Sequence, residues 1–148
     1  MATSERVLRL LDVNVMLALS LANHAHHRVA TSWFEDVGAW ATCPITESAY
    51  CRLLINSHVT GFELGVSEVF DALRTFCSVS GHELIEDSAS LTAPAIDVSG
   101  LVGRRQITDF HLVDLAARSG ALLATLDARI PPALAAEDRR FVELIPVD

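Results

Sequence analysis

Apolar residues in this chain fall into short unbroken runs separated by longer stretches with helical spacing. VLRLLD (residues 7–12), AWATC (39–43), ALLATLD (121–127) and FVELI (141–145) are runs of the first kind. Such runs, each stopped by a polar or turn residue, predict strands buried on both faces, with HELIED (82–87) as a weaker member. Between them lie the helical patterns. NVMLALSLA predicts a short helix with Asn14 as its cap, and HHRVATSWFEDVG places Val29, Trp33, Phe34 and Val37 on one stripe before Gly38. After Pro44, ITESAYCRLLIN predicts a helix with Thr46 as N-cap and Glu47 in its first turn. A further helix is expected from about Ser67, carrying Val69, Phe70, Leu73 and Phe76 on one face. TDFHLVDLAARSG predicts a helix capped by Thr108 and closed by Gly120. Residues 87–106 are the least periodic, and a short helix followed by a mobile loop at Gly100–Gly103 is expected there. Strand and helix alternate throughout. The expected fold is therefore α/β: a central parallel sheet of about five strands, helices on both faces, one domain over residues 1–148.

Four carboxylates sit where such a fold gathers ligands. Asp12 and Asp127 close strand runs, while Glu47 and Asp109 lie in the first turns of helices. In an open parallel sheet the strand C-termini and the helix N-termini share one edge, and ligands bind along it. Carboxylates collected there oppose one another's ionisation, a cost that a cation relieves. Magnesium or manganese suits an all-oxygen set and leaves coordination positions for water and phosphate oxygen. Phosphodiester hydrolysis is the chemistry such a site does best.

Composition narrows the choice. The 148 residues suit one domain with its own core. The net charge of −8 argues against nucleic-acid binding through a basic surface, although bound divalent cations would reverse the field at an acidic pocket. All eleven basic residues are arginine. The absence of lysine excludes P-loop and Schiff-base chemistry, and also the phosphoryl-aspartate folds of the receiver and haloacid-dehalogenase type, which pair a strand-end Asp with a lysine. Cys43, Cys51 and Cys77 form no C-x-x-C pair, so neither a disulfide framework nor a zinc site is expected and all three are read as reduced core residues. No apolar run is long enough to span a membrane, and the N-terminal lead MATSERVLRLLD lacks signal-peptide character, so a cytoplasmic protein is expected. With 51% hydrophobic residues in so small a chain, a homodimer is the expected assembly.

The order and context of LLDVNVML around Asp12, CPITE around Glu47, the TD that opens the helix at Asp109, and TLDAR around Asp127 resemble the PIN-domain ribonucleases, specifically the VapC toxins of bacterial toxin–antitoxin operons. The resemblance spans nearly the whole chain, and WATCPITE is similar to a subgroup well represented in mycobacteria. It implies a three-layer α/β/α domain and a magnesium- or manganese-dependent endoribonuclease acting on structured RNA such as tRNA or rRNA. It also implies a cognate VapB-like antitoxin as partner. By position it implies Asp12, Glu47, Asp109 and Asp127 as the acidic quartet. Asp12, Asp109 and Asp127 would hold the metal, and Glu47 would ligate it or orient the attacking water. Asn14 and Thr125 match the polar residues that accompany the quartet.

Other residues are more ambiguous. Asp114 lies five positions after Asp109, well round the helix, so a solvent-facing or salt-bridged role is expected ahead of a supporting place at the metal. Arg104, Arg105 and Arg129 flank the acids and are candidates for gripping RNA phosphates. His24, His26 and His27 lack the Cys or carboxylate that would complete a metal site and read as a polar loop and helix start. Trp33 and Trp40 read as core or interface aromatics. Two rival functions stand beside the ribonuclease: a catalytically silent PIN-fold regulatory module, which retention of all four acids opposes, and a DNA or flap nuclease, which usually needs helical insertions this short chain lacks.

Overall fold

The computed structural model describes residues 7–147; the N-terminal lead before Val7 and the last residue lie outside it. Five strands form one wholly parallel sheet: β1 (Leu8–Leu11), β2 (Trp40–Thr42), β3 (His82–Leu84), β4 (Ala121–Thr125) and β5 (Val142–Leu144), in the spatial order β3-β2-β1-β4-β5. Leu8 pairs with Ala121 and Leu11 with Ala124, so β1 and β4 end level. The Asp12 N–H then continues the ladder to the Ala124 carbonyl at 2.9 Å. This register sets Asp12 beside the residues that follow β4.

Helices cover both faces, giving the three-layer α/β/α arrangement. On one face α1 (Val13–Ser20), α2 (His27–Phe34), α3 (Pro44–Leu54) and α5 (Val66–Cys77) pack around Leu11, Trp40 and Ala124. On the other, α6 (Ile107–Arg118) and α7 (Ile130–Ala133) pack over Leu10, Ala41 and Leu123. Alternate residues of each central strand thus feed opposite cores, which is why those strands read as continuous apolar runs. Trp40 is fully buried, edge-on to Phe34 and Phe76 at centroid distances of 5.4 and 5.1 Å. Side chains of that size contribute about 3–5 kcal/mol against truncation to alanine. Gly81, at φ +94°, turns the chain into β3, and a Cβ there would collide with the Gly38 carbonyl.

Several local expectations need correction. The N-cap of α1 is Asp12, whose Oδ1 accepts from the Val13 N–H at 2.7 Å; the helix begins two residues too early for Asn14 to cap it. Cys43 occupies the N-cap of α3, and Thr46, three residues in, accepts from the Cys43 N–H at 3.1 Å. A 3₁₀ turn at Arg104–Gln106 runs straight into α6, so Thr108 is already inside the helix. The four-residue α4 (Ser57–Thr60), held by Asn56 capping the His58 N–H, went unforeseen. No helix forms between residues 87 and 103. That segment is tethered: Ile96 is buried, the Ala95 N–H donates to Asp114 at 2.6 Å, and the Asp97 N–H donates to Asp138 at 2.9 Å. Periodicity misses such a segment because buried carboxylates, not a ladder, satisfy its backbone.

Candidate functional site

Asp12 is only 5% exposed, and its position follows from two jobs done at once. Oδ1 caps α1, and Oδ2 accepts from Thr125 Oγ1 at 2.8 Å and more loosely from Asn14 Nδ2 at 3.4 Å. The Thr125 hydroxyl also accepts from the Asp127 N–H at 3.1 Å and from Asn14 Nδ2 at 3.2 Å, while Asn14 Oδ1 accepts from the Leu126 N–H at 3.1 Å. Asn14 and Thr125 therefore stitch the end of β1 to the end of β4 and fix the Asp12 carboxylate between them. Burial raises the Asp12 carboxyl above its ordinary range; the bonds from Thr125 and Val13 pull it back, and the Asp127 charge adds to the rise.

Asp127 follows β4 and is clasped by Arg129. Nε donates to Oδ1 and a terminal guanidinium nitrogen to Oδ2, both at 2.9 Å, the bidentate fork that arginine makes with a carboxylate. That hydrogen bond holds the Asp127 carboxyl below its usual value. Asp109, in the first turn of α6, is half-buried and accepts no hydrogen bond from the described residues. Burial first, then the charges of Asp12 and Asp127, raise its carboxyl from 3.8 to about 6, against a smaller opposing pull from Arg129. The three aspartates therefore share one field. Asp109 and Asp127 line a cavity of about 200 Å3 together with Arg105 and Arg129.

All the donors here are carboxylate oxygens repelling one another, and Asp109 has an uncommitted pair, so the set fits a hard divalent cation. Among the described residues the three aspartates do not bring ligand atoms within 4.8 Å of one another as a ready-made three-ligand set would.

Glu47 departs from the expected quartet. Its Oε2 accepts from Thr42 Oγ1 at 2.6 Å and faces the Cys77 thiol at 3.9 Å. Its near neighbours are Thr42, Cys77 and His82 at the β2–β3 end of the sheet, while Asp12, Asp109 and Asp127 sense one another. Asp114 is also elsewhere. It is fully buried, accepting from the Ala95 N–H and, at 3.1 Å, from Arg118 Nε, so its carboxylate supports the 87–103 segment and neither faces solvent nor supports the aspartates. Arg104 and Arg105 are exposed on the 3₁₀ turn, with Arg105 at the cavity. Arg129 is 88% exposed, but its fork is already engaged by Asp127.

The PIN-domain family matches residues 9–135. The chain belongs to that family. Among its relatives in Mycobacterium tuberculosis, the protein named Ribonuclease VapC38 is 36% identical over 140 residues, covering 93% of this chain and 98% of the relative. Ribonuclease VapC39 is 39% identical over 124 residues, 82% of this chain and 89% of the relative. Ribonuclease VapC29 is 37% identical over 121 residues, 80% and 85% of the two chains.

In this PIN domain the aspartate pocket lies at the C-terminal edge of the sheet, as expected from the strand-end acids. The cluster that sequence reading missed is Glu47, Cys77 and His82, whose donor atoms lie within 4.8 Å of one another. Cys77 ends α5 and His82 begins β3, and only the tight turn at Gly81 and the β2–β3 pairing bring both to Glu47. No fixed ligand spacing marks such a set in the sequence. The histidine cluster, by contrast, is structural: His24 Nδ1 accepts from the His26 N–H at 3.0 Å, and His27 Nδ1 lies 2.7 Å from the Ala18 carbonyl.

Proposed function

We propose that this chain is a metal-dependent endoribonuclease toxin of the VapC type, cutting phosphodiester bonds of structured RNA such as tRNA or rRNA. The reading rests chiefly on the field shared by Asp12, Asp109 and Asp127 beside an open cavity, in a chain whose close relatives carry the name ribonuclease.

In this reading Asp12, Asp109 and Asp127 hold magnesium or manganese, which when bound offsets the charge that builds on the scissile phosphate. The protein's own contribution is positional. Thr125 and Asn14 hold Asp12 in one orientation, Asp109 offers a carboxylate with no competing donor, and Arg129 keeps Asp127 ionised. The exposed guanidinium of Arg105 beside the cavity, with Arg104 next to it, suits contact with the RNA backbone. Glu47 Oε2 is engaged by Thr42, and this reading assigns the metal to the three aspartates without it.

A VapB-like antitoxin is the proposed inhibitor. The clasp of Arg129 on Asp127 shows how well a guanidinium fits here, and a basic residue from a partner could occupy the pocket in the same manner. Exposed Ile55, Val59, Phe62, Val66 and Phe70 give apolar surface that supports a homodimer. Among the described residues no helix is long and apolar enough to cross a membrane.

The test is incubation of the purified protein with total cellular RNA, with magnesium or with EDTA, followed by end-mapping of the fragments. Cleavage that needs the metal, is lost in Asp109→Asn, and leaves discrete ends supports the proposal. Cutting in EDTA, or at wild-type rate in Asp109→Asn, refutes the site; no cutting under any condition favours the silent binding module.

A further inference from the structure

A second, chemically different set of donors lies at the same edge of the sheet. Glu47 comes from the first turn of α3, Cys77 from the end of α5 and His82 from the start of β3, and their ligand atoms all lie within 4.8 Å of one another. Cys77 Sγ is 3.9 Å from Glu47 Oε2. In tetrahedral zinc, with sulfur at about 2.3 Å and carboxylate oxygen at about 2.0–2.2 Å, those two ligand atoms stand about 3.6 Å apart. Closing the gap needs only a small movement of side chains.

The surroundings hold the set in place. The Thr42 hydroxyl, itself fully buried, donates to Glu47 Oε2 at 2.6 Å and lies 2.8 Å from His82 Nε2, so one residue orients two of the three ligands. The His82 ring lies against Trp40 at a centroid distance of 4.7 Å, which limits its rotation. Cys77 is a free thiol. All three residues are half-buried.

A mixed sulfur, nitrogen and oxygen set selects borderline-soft cations over magnesium or manganese. Burial and the Glu47 charge raise the Cys77 thiol above its ordinary value and so oppose the thiolate, an opposition a bound dication would reverse.

We propose that Glu47, Cys77 and His82 form a binding site for a zinc-class divalent cation, separate from the three-aspartate pocket. Binding releases the Cys77 thiol proton to solvent as the thiolate–metal bond forms; because the single Thr42 hydroxyl proton goes to Glu47, His82 Nε2 donates to Thr42 in this structure, and ligation through Nε2 needs that proton moved to Nδ1. The ion would tie the end of α5 and the first turn of α3 to β3, the edge strand of the sheet.

The experiment uses the full chain with cobalt(II) as a spectroscopic stand-in and zinc as competitor. The expected result is a thiolate-to-cobalt charge-transfer band that zinc abolishes. The band should be absent in Cys77→Ser and unchanged in Asp109→Asn, and in His82→Gln it should require more than about 100-fold more cobalt, beyond the roughly 10–100-fold that loss of a mere supporting partner costs. Zinc should raise the melting temperature of wild type and leave that of Cys77→Ser where it was. A further arm needs no variant: zinc, and not magnesium, should slow alkylation of Cys77, read by mass spectrometry. A wild-type protein with no charge-transfer band, a band that persists in Cys77→Ser, or Cys77 alkylated at the same rate with and without zinc overturns the proposal. None of these readouts depends on RNA cleavage.

Discussion

Asp109→Asn should stabilise the metal-free protein, and only above a definite pH. The Asp109 carboxyl rises from 3.8 to about 6 because folding half-buries it beside Asp12 and Asp127. A tenfold change in acidity corresponds to about 1.4 kcal/mol, so the full rise would represent roughly 3 kcal/mol. Half the group faces solvent, which screens the interaction and reduces the figure to about 1.5 kcal/mol. The sign follows from proton counting. With the folded value above the unfolded one, the native state binds the extra proton, so native stability declines as pH rises from about 4 to about 6 and the loss is complete above that. Asparagine has the same shape without the charge and removes the loss. Thermal melts in EDTA should therefore agree for wild type and variant near pH 4, and differ by about 3–6 °C near pH 7.5 for a chain of this length. A variant that melts lower at every pH, or a gain equally large near pH 4, would refute the account of Asp109 as a carboxylate strained by its neighbours.

Thr125→Val removes the donor to Asp12 and the acceptor for the Asp127 N–H. It should cost about 1–3 kcal/mol in urea denaturation and weaken magnesium binding in calorimetry, because the Asp12 carboxyl loses the bond that opposes its rise. Asp114→Ala leaves the Ala95 N–H and Arg118 Nε without their acceptor and should cost about 2–4 kcal/mol while magnesium affinity stays unchanged, which calorimetry on the folded variant checks. Arg129→Gln removes the cation that lowers both Asp127 and Asp109, so the acidic limb of the cleavage-rate profile should move to higher pH; an unmoved limb would show that neither carboxylate must be ionised for the reaction.

What could be read from the sequence and what could not divide along physical lines. The strands of the central sheet were legible because their middle positions are buried on both faces and are apolar there, as at Leu10 and Leu11 of β1 and Leu123 and Ala124 of β4. Asp12 and Asp127 were legible because a carboxylate ending such a run stands out. Helix starts were less so: Asp12, Cys43 and the 3₁₀ turn before α6 begin their helices earlier than Asn14, Thr46 and Thr108 suggested, and a cap depends on backbone angles that composition does not record. The 87–103 segment read as a short helix and a mobile loop because what orders it, Asp114 and Asp138, lies far along the chain.

Glu47 and Asp109 look equivalent in sequence, since each opens a helix, and the topology is what separates them. From β1 the chain moves to β2 on one side, and β4 pairs on the other. The segments leaving β1 and β4 pass to opposite faces: α1 packs in the core around Leu11 and Trp40, and Ile130 of α7 packs in the core around Leu10 and Leu123. Where two neighbouring strands send their chains to opposite faces, a crevice opens between their carboxyl ends. Asp12 and Asp127 flank that crevice, and Asp109 approaches it from α6. At β2 the chain passes into α3, whose Tyr50 and Leu54 share the core of α1, so no crevice opens between the ends of β1 and β2. Glu47, at the start of α3, meets Thr42 and the β3 side instead. The same edge of the sheet thus carries two sites of different chemistry, hard oxygen donors where the chain divides and a mixed set where it does not. Only the mixed set offers a thiolate and an imidazole, so a charge-transfer band from a thiolate reports that set alone.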